Sequence, residues 1–346
     1  MRRFIRCAAV TVCAIFALSS TAIARQQMTM QQPMQAQMRG DHLTPEDIFH
    51  LQYTSDPQIS PDGKRIVYVR TSANIMTDTR ETNLWIVNFD GTDDRALTSG
   101  HDNDASPRWS PDGTRVAYLS GDEGHTQLYV RWMDSGQTAR LTEMENAPAD
   151  ISWSPDGKWI AFSSRVPVPG PRLTNIPAAP AGAHWADQPR MFDQMVYRFN
   201  GLGYLRPGST QIFVIAADGG GARQVSKGDV SYGSSTGGGP QLVWAPDGAS
   251  LIFSANLRAD ADYEPSDTEV YEMSVADGAL KQLTHRHGPD GSASISPDGK
   301  WIAYAGYDER FQGHQSTNLY VMGRDSSNPH VISTKLDRDV VSTKWA

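Results

Sequence analysis

Cysteine is nearly missing from this 346-residue chain: there are two, Cys7 and Cys13, both within the first 24 residues. Beyond them no disulfide and no thiol nucleophile can be built. A basic excess is missing too. Lys and Arg number 31 against 39 Asp and Glu, a net charge of −8, and nucleic-acid binding needs a basic footprint that this balance does not provide. After the N-terminal stretch no apolar run reaches the length of a membrane-spanning helix.

The N-terminus accounts for the cysteines. Arg2, Arg3 and Arg6 precede an apolar stretch from Cys7 to Leu18, and Ala22-Ile23-Ala24 supplies the small residues of a signal-peptidase site. Residues 1–24 read as a signal peptide cleaved after Ala24. The product is then exported, to the periplasm or outside the cell, with no membrane attachment left. Three arginines leave with the signal, so 28 basic residues face 39 acidic ones and the charge becomes −11. Residues 25–41 form a Gln/Met-rich segment. Its thioethers at Met28, Met30, Met34 and Met38 are soft ligands of the kind Cu(I) takes, but the polar composition describes a disordered linker. No metal and no cofactor is expected.

What the chain does have is a repeated turn. Trp153-Ser154-Pro155-Asp156-Gly157 runs into Lys158-Trp159-Ile160-Ala161-Phe162, and versions of it centre on Pro61, Pro111, Pro246 and Pro297. The steps are 50, 44, 91 and 51 residues, a period that marks a repeat architecture. Pro presets φ at the second turn position, Asp suits the third, and Gly accepts the left-handed conformation after it. Each copy therefore predicts a hairpin turn between strands, with its aspartate serving the turn and no metal. A second apolar run follows about 20 residues later in each unit, as at Leu84-Trp85-Ile86-Val87 and Leu319-Tyr320-Val321-Met322, and a short last strand closes it, as at Arg140-Leu141-Thr142.

Four short antiparallel strands per repeat describe a β-propeller blade. The fold class is therefore all-β: five blades from residue 42, and the start of a sixth at Trp345-Ala346, which matches Trp244-Ala245. Such a ring is incomplete, and residues 42–346 read as a partial propeller cut from a longer protein. Its unpaired strand edges predict self-association, a homo-oligomer or an aggregate. Thr44-Pro45-Glu46-Asp47 opens a short N-terminal helix through Leu51, with Thr44 as cap and Pro45 at the first helical position.

The long step from Pro155 to Pro246 contains only one copy of the later strand pattern, so blade 3 carries an insertion at about 166–209. Its first part is Pro/Ala-rich; its second, Met191 to Tyr204, is aromatic. Long insertions in compact domains are often functional, although extra strands padding a blade edge would serve as well. Gly233-Ser234-Ser235-Thr236-Gly237 fits the Gly-x-Ser-x-Gly nucleophile pattern. That pattern works on a strand–turn–helix, and Gly238-Gly239-Pro240 followed by a blade strand leaves no room for the helix. Ser235 is read as a loop residue. The chain offers no catalytic residue.

The order of these motifs resembles the N-terminal propeller of the prolyl oligopeptidase family of serine peptidases, in its acylaminoacyl-peptidase and dipeptidyl-peptidase branch. The resemblance rests on Leu43 to Asp47, Ser55 to Gly63, Asn83-Leu84-Trp85, Pro107 to Gly113, and Tyr197 to Tyr204 leading into Gln211-Ile212-Phe213. It implies a propeller that caps a separate α/β-hydrolase domain holding the Ser-Asp-His triad and admits short peptides. That domain is absent here, so the chain alone is expected to be inactive. The insertion also lacks the Glu-Glu pair that some members use to hold a peptide's amine. Arg198, Asn200 and Tyr204 are the candidate substrate-binding residues. The alternative is a periplasmic TolB-like propeller acting as a protein-binding scaffold, which shares the turn motif but is similar to an α/β domain joined to its blades.

Overall fold

A computed structural model describes residues 43–345 apart from 122–124, 173, 175–176, 187–188, 201–202 and 235–238. The proposed signal, its cleavage site at Ala24 and the whole Gln/Met-rich segment lie outside the described residues, as does Ser235. The chain divides into a unit ending at His50 and a unit from Leu51 onward. In the first, the expected helix is a single 3-10 stretch, Pro45–His50. The Asp47 carboxylate accepts from the Thr44 backbone N–H at 2.6 Å, so the cap's own backbone is satisfied by an acid three residues on. No helix among the described residues is long and apolar enough to cross a membrane.

The second unit contains five four-stranded antiparallel sheets. Blade 1 is β1 (Tyr53–Ile59), β2 (Arg65–Asn74), β3 (Thr79–Asn88) and β4 (Arg95–Ala96). Blade 2 is β5 (Ala105–Trp109), β6 (Arg115–Ser120), β7 (Gln127–Trp132) and β8 (Thr138–Arg140). Blade 3 is β9 (Pro148–Trp153), β10 (Trp159–Pro167), β13 (Gly208–Ala216) and β14 (Arg223–Gln224), with a small hairpin of β11 (Arg198–Phe199) and β12 (Gly203–Tyr204) inserted. Blade 4 is β15 (Val243–Trp244), β16 (Ser250–Ala255), β17 (Glu269–Ser274) and β18 (Leu280–Gln282). Blade 5 is β19 (Asp290–Ile295), β20 (Trp301–Gly306), β21 (Asn318–Gly323) and β22 (His330–Val331).

The repeated turn closes itself in the same way each time. In blade 3 the Ser154 hydroxyl donates to Asp156 Oδ1 at 2.6 Å and accepts the Trp159 N–H at 2.9 Å. Gly157 N–H reaches Ser154 O at 2.9 Å, and Gly157 sits at φ 68°, where a side chain would be strained. The serine hydroxyl holds the carboxyl of Asp62, Asp112, Asp156 and Asp298 below the ordinary range. Blade 4 has Ala245 in the serine's place. There the Ala249 N–H and the Arg324 guanidinium of blade 5 bind Asp247, at 2.9 Å each. A second lock ties the last strand to the third: the hydroxyls of Thr98, Thr142, Ser226, Thr284 and Ser333 accept the N–H groups of Leu84, Leu128, Ile212, Val270 and Leu319.

Alternation along the second strands puts successive residues into different cores. Ile160 and Phe162 pack toward blade 2 with Leu128, Val130 and Trp153, while Ala161 packs toward blade 4 with Trp244 and Phe253. Each core lies between two blades, so a blade is buried on both faces only where it has two neighbours. Indoles tie the joints. Trp109 Nε1 donates to Gln58 O, Trp153 Nε1 to Arg108 O and Trp244 Nε1 to Ser152 O, each at 3.0 Å. In or just before the first strand of every blade stands a non-glycine residue at positive φ: Asp56, Ser106, Asp150, Gln241 and Ser292, all near 50° and all three residues before the Trp or Ile. Pairing slips there in blades 1, 2, 3 and 5, the mark of a β-bulge.

The two end blades differ from the rest. Ile59, at the tryptophan position of blade 1, is 58% exposed, against 9% for Trp153. Beside blade 5, Thr343 Oγ1 donates to Ser292 O at 2.8 Å and Val341 O accepts from Ser292 Oγ at 3.3 Å. Residues 341–343 thus run along β19, where the first strand of a sixth blade belongs. Trp153→Phe removes one indole donor and leaves Arg108 O without it, so unfolding in urea should show a loss of about 1–2 kcal/mol. Wild-type stability in this variant would mean that the joint rests on apolar packing alone.

Candidate substrate-facing site on the third blade

β10 and β13 pair without a break from Trp159↔Ala216 to Pro167↔Gly208, so the insertion leaves and re-enters the blade at one point. Gly208 makes that closure: a Cβ there would lie 2.7 Å from Val166 O, at a φ of 157°. Within the insertion Arg198 pairs with Tyr204 and Phe199 with Gly203, and Leu205 N–H reaches Tyr197 O at 2.9 Å. The hairpin gathers three aromatic rings. Phe192 stands 5.0 Å from Tyr197 and 5.4 Å from Tyr204, and the two tyrosines are 6.3 Å apart. All three stay 41–49% exposed. Buried rings of this size would form a core; these form a platform at the surface.

Two guanidiniums rest on the platform, Arg190 at 5.2 Å and Arg198 at 5.8 Å from the Tyr204 centroid. Phe192 and Tyr197 also form one wall of a cleft of about 230 Å³, completed by Val168, Pro169, Met191 and Arg206. The cleft is fastened at two places. Met195 N–H donates to Asp262 Oδ2 of blade 4 at 3.0 Å, and Arg165 Nη2 donates to Arg206 O at 2.5 Å. Of the three residues singled out from the sequence, Arg198 and Tyr204 come together on the hairpin. Asn200 lies exposed at its tip, with no hydrogen-bond partner among the described residues. None of the three lines the cleft itself; the Phe192 and Tyr197 rings connect Tyr204, and through it Arg198, to the cleft.

A second polar constellation, not foreseen from the sequence, sits between blades 4 and 5. The residue before each hydroxyl-locked N–H is Asn83, Gln127, Gln211 or Asn318 in four blades, but Glu269 in blade 4. Lining up the five repeats at that position would have exposed the odd carboxylate. Glu269, Asp267 and Asp290 are all buried. Thr284 Oγ1 donates to Glu269, Arg286 to Asp290, and the Arg258 guanidinium to Asp267 at 2.9 Å. Arg286 also lies over the Tyr320 ring at 3.9 Å. Burial pushes Glu269 up to about 7 and Asp290 up to about 6, with the neighbouring carboxylates adding to the shift on Glu269.

A carboxyl whose pKa is higher folded than unfolded favours folding fully below its unfolded value and loses that contribution as pH rises through its folded value. The joint therefore weakens between about pH 4.5 and 7. Glu269→Gln installs the side chain that blades 2 and 3 use. Urea unfolding should show the variant more stable by on the order of 2 kcal/mol at pH 8 and little changed at pH 5. Equal slopes of stability against pH in both proteins would show that Glu269 does not carry the effect.

Residues 49–168 match the TolB beta propeller domain family, PD40. An uncharacterized peptidase of Bacillus subtilis, YuxL, is 30% identical over 310 residues, covering 81% of this chain and 34% of that protein. Dipeptidyl-peptidase 5 of Porphyromonas gingivalis is 37% identical over 89 residues, 26% of this chain and 13% of that protein. The acylaminoacyl peptidase of Pyrococcus horikoshii superposes with a TM-score of 0.63 at 20% identity, over 85% of this chain and 41% of that one. The chain thus spans about a third or less of the length of the curated relatives it matches. Fold and motifs make it a β-propeller of the kind carried by serine peptidases of the prolyl oligopeptidase family, as the resemblance in its sequence implied.

Proposed function

We propose that this chain is the substrate-gating propeller of an exported serine peptidase that cleaves short peptides, in the manner of acylaminoacyl- or dipeptidyl-peptidases. The observation that carries the reading is the peptidase relative aligned over 81% of the chain. Residues 1–24 direct export, to the periplasm or outside the cell, and are cut after Ala24; residues 25–41 link the signal to the propeller. The catalytic serine, acid and histidine belong to an α/β-hydrolase domain outside residues 1–346. The propeller's part is to admit and orient the peptide, with Arg198 and Tyr204 of the insertion facing it and Asn200 at the hairpin tip.

The TolB-like scaffold reading draws on the family match at residues 49–168, which covers less of the chain. Purified protein should turn over no aminoacyl or dipeptidyl chromogenic substrate on either reading, and turnover would overturn both. One measurement separates them: the coding sequence read beyond codon 346 should continue in frame to a Gly-x-Ser-x-Gly elbow. A stop within one or two further blades would favour the scaffold.

A further inference from the structure

We infer that the insertion of blade 3 selects peptides carrying a carboxylate next to an apolar side chain; this rests on the gating reading. The argument begins with charge. From residue 165 to 208 there are five arginines and two aspartates in a chain whose net charge is −8, so the insertion is a basic island on an acidic molecule. Among the described residues Arg190, Arg198 and Arg206 make no ion pair. Elsewhere Arg115, over Trp153, pairs with Asp218 and Arg286, over Tyr320, pairs with Asp290, whereas Arg65, Arg70 and Arg80 stack singly with no ion pair among the described residues. What sets the insertion apart is that two such arginines lie over one ring.

A guanidinium lying over a ring spends its face on the π-system and keeps its N–H edge for a planar anion. Arg190 and Arg198 both lie over the Tyr204 ring, so a carboxylate arriving there meets a guanidinium edge free for charge-assisted hydrogen bonds, with a second positive charge beside the same ring. The cleft behind Phe192 and Tyr197 is walled by Val168, Pro169 and Met191 and, at about 230 Å³, accepts a side chain rather than a folded partner. Asp193 and Arg206 both line the cleft and offset one another in charge, so the uncompensated positive charge lies outside it, on the Arg190 and Arg198 pair over Tyr204. Asp262 is already taken by Met195 N–H. The ligand is therefore an extended peptide with its apolar side chain in the cleft and its carboxylate on the platform. That carboxylate is either an acidic side chain or the C-terminus.

Isothermal titration of the purified chain with three tetrapeptides distinguishes these sources: Gly-Phe-Glu-Gly amide, Gly-Phe-Gln-Gly amide and Gly-Phe-Gln-Gly free acid. At least one carboxylate-bearing peptide should bind tenfold or more tighter than the Gln amide. If only the Glu amide does, the side chain is read; if only the free acid does, the C-terminus is. The Arg190→Gln/Arg198→Gln variant should bring that peptide's affinity down to that of the Gln amide measured on the same variant. Equal binding of all three peptides would overturn the inference while leaving the gating reading intact, as would discrimination that survives in the variant. If no peptide binds even at millimolar concentration, the gating reading falls, and this inference with it.

Discussion

The hydrogen bond from a tryptophan indole to the carbonyl one blade back is the contact on which the rest of this structure depends. A blade's sheet is satisfied internally by its ladder, but its two apolar faces are not. They become core only when a neighbouring blade is held at the right distance and angle. Trp109, Trp153 and Trp244 set that geometry with 3.0 Å bonds to Gln58, Arg108 and Ser152. Burying large apolar rings while satisfying their one polar atom is how an indole combines adhesion with direction. Where Ile295 replaces tryptophan, the apolar core between the blades remains, and ion pairs stand beside it in place of the indole bond: Arg324 reaches Asp247 and Glu272, and Arg286 reaches Asp290.

An indole bond is indifferent to pH between 5 and 8. Buried carboxyls are not: between blades 4 and 5, Glu269 and Asp290 must hold their charge away from water and near one another. Burial pushes Asp104 of blade 2 and Asp150 of blade 3 in the same direction, so pH sensitivity is not confined to one joint.

Much of this architecture was legible in the sequence because turns are local. Pro, Asp and Gly at fixed offsets dictate the hairpin wherever they occur, and the alternating runs after them could only be strands. The bulges were not legible. They fall on Asp56, Ser106, Asp150 and Ser292, and none is the glycine that usually signals positive φ. The site was legible in part. Arg198 and Tyr204 stood out by type within an aromatic insertion. That Arg190 would join them from eight residues upstream depends on a fold of the insertion that no periodicity encodes.

The blades are rigid, repeated and mutually buried, so specificity has to come from what departs from the repeat. The insertion is the largest departure. It is anchored to blade 3 through the β10–β13 ladder and to blade 4 through Asp262, with its aromatic face left open. Hydrogen exchange with and without a saturating short peptide tests this most directly. The account predicts slowed exchange concentrated in residues 191–206, with the blade ladders unchanged. Protection confined to the blade joints, or absent from the insertion altogether, would contradict it.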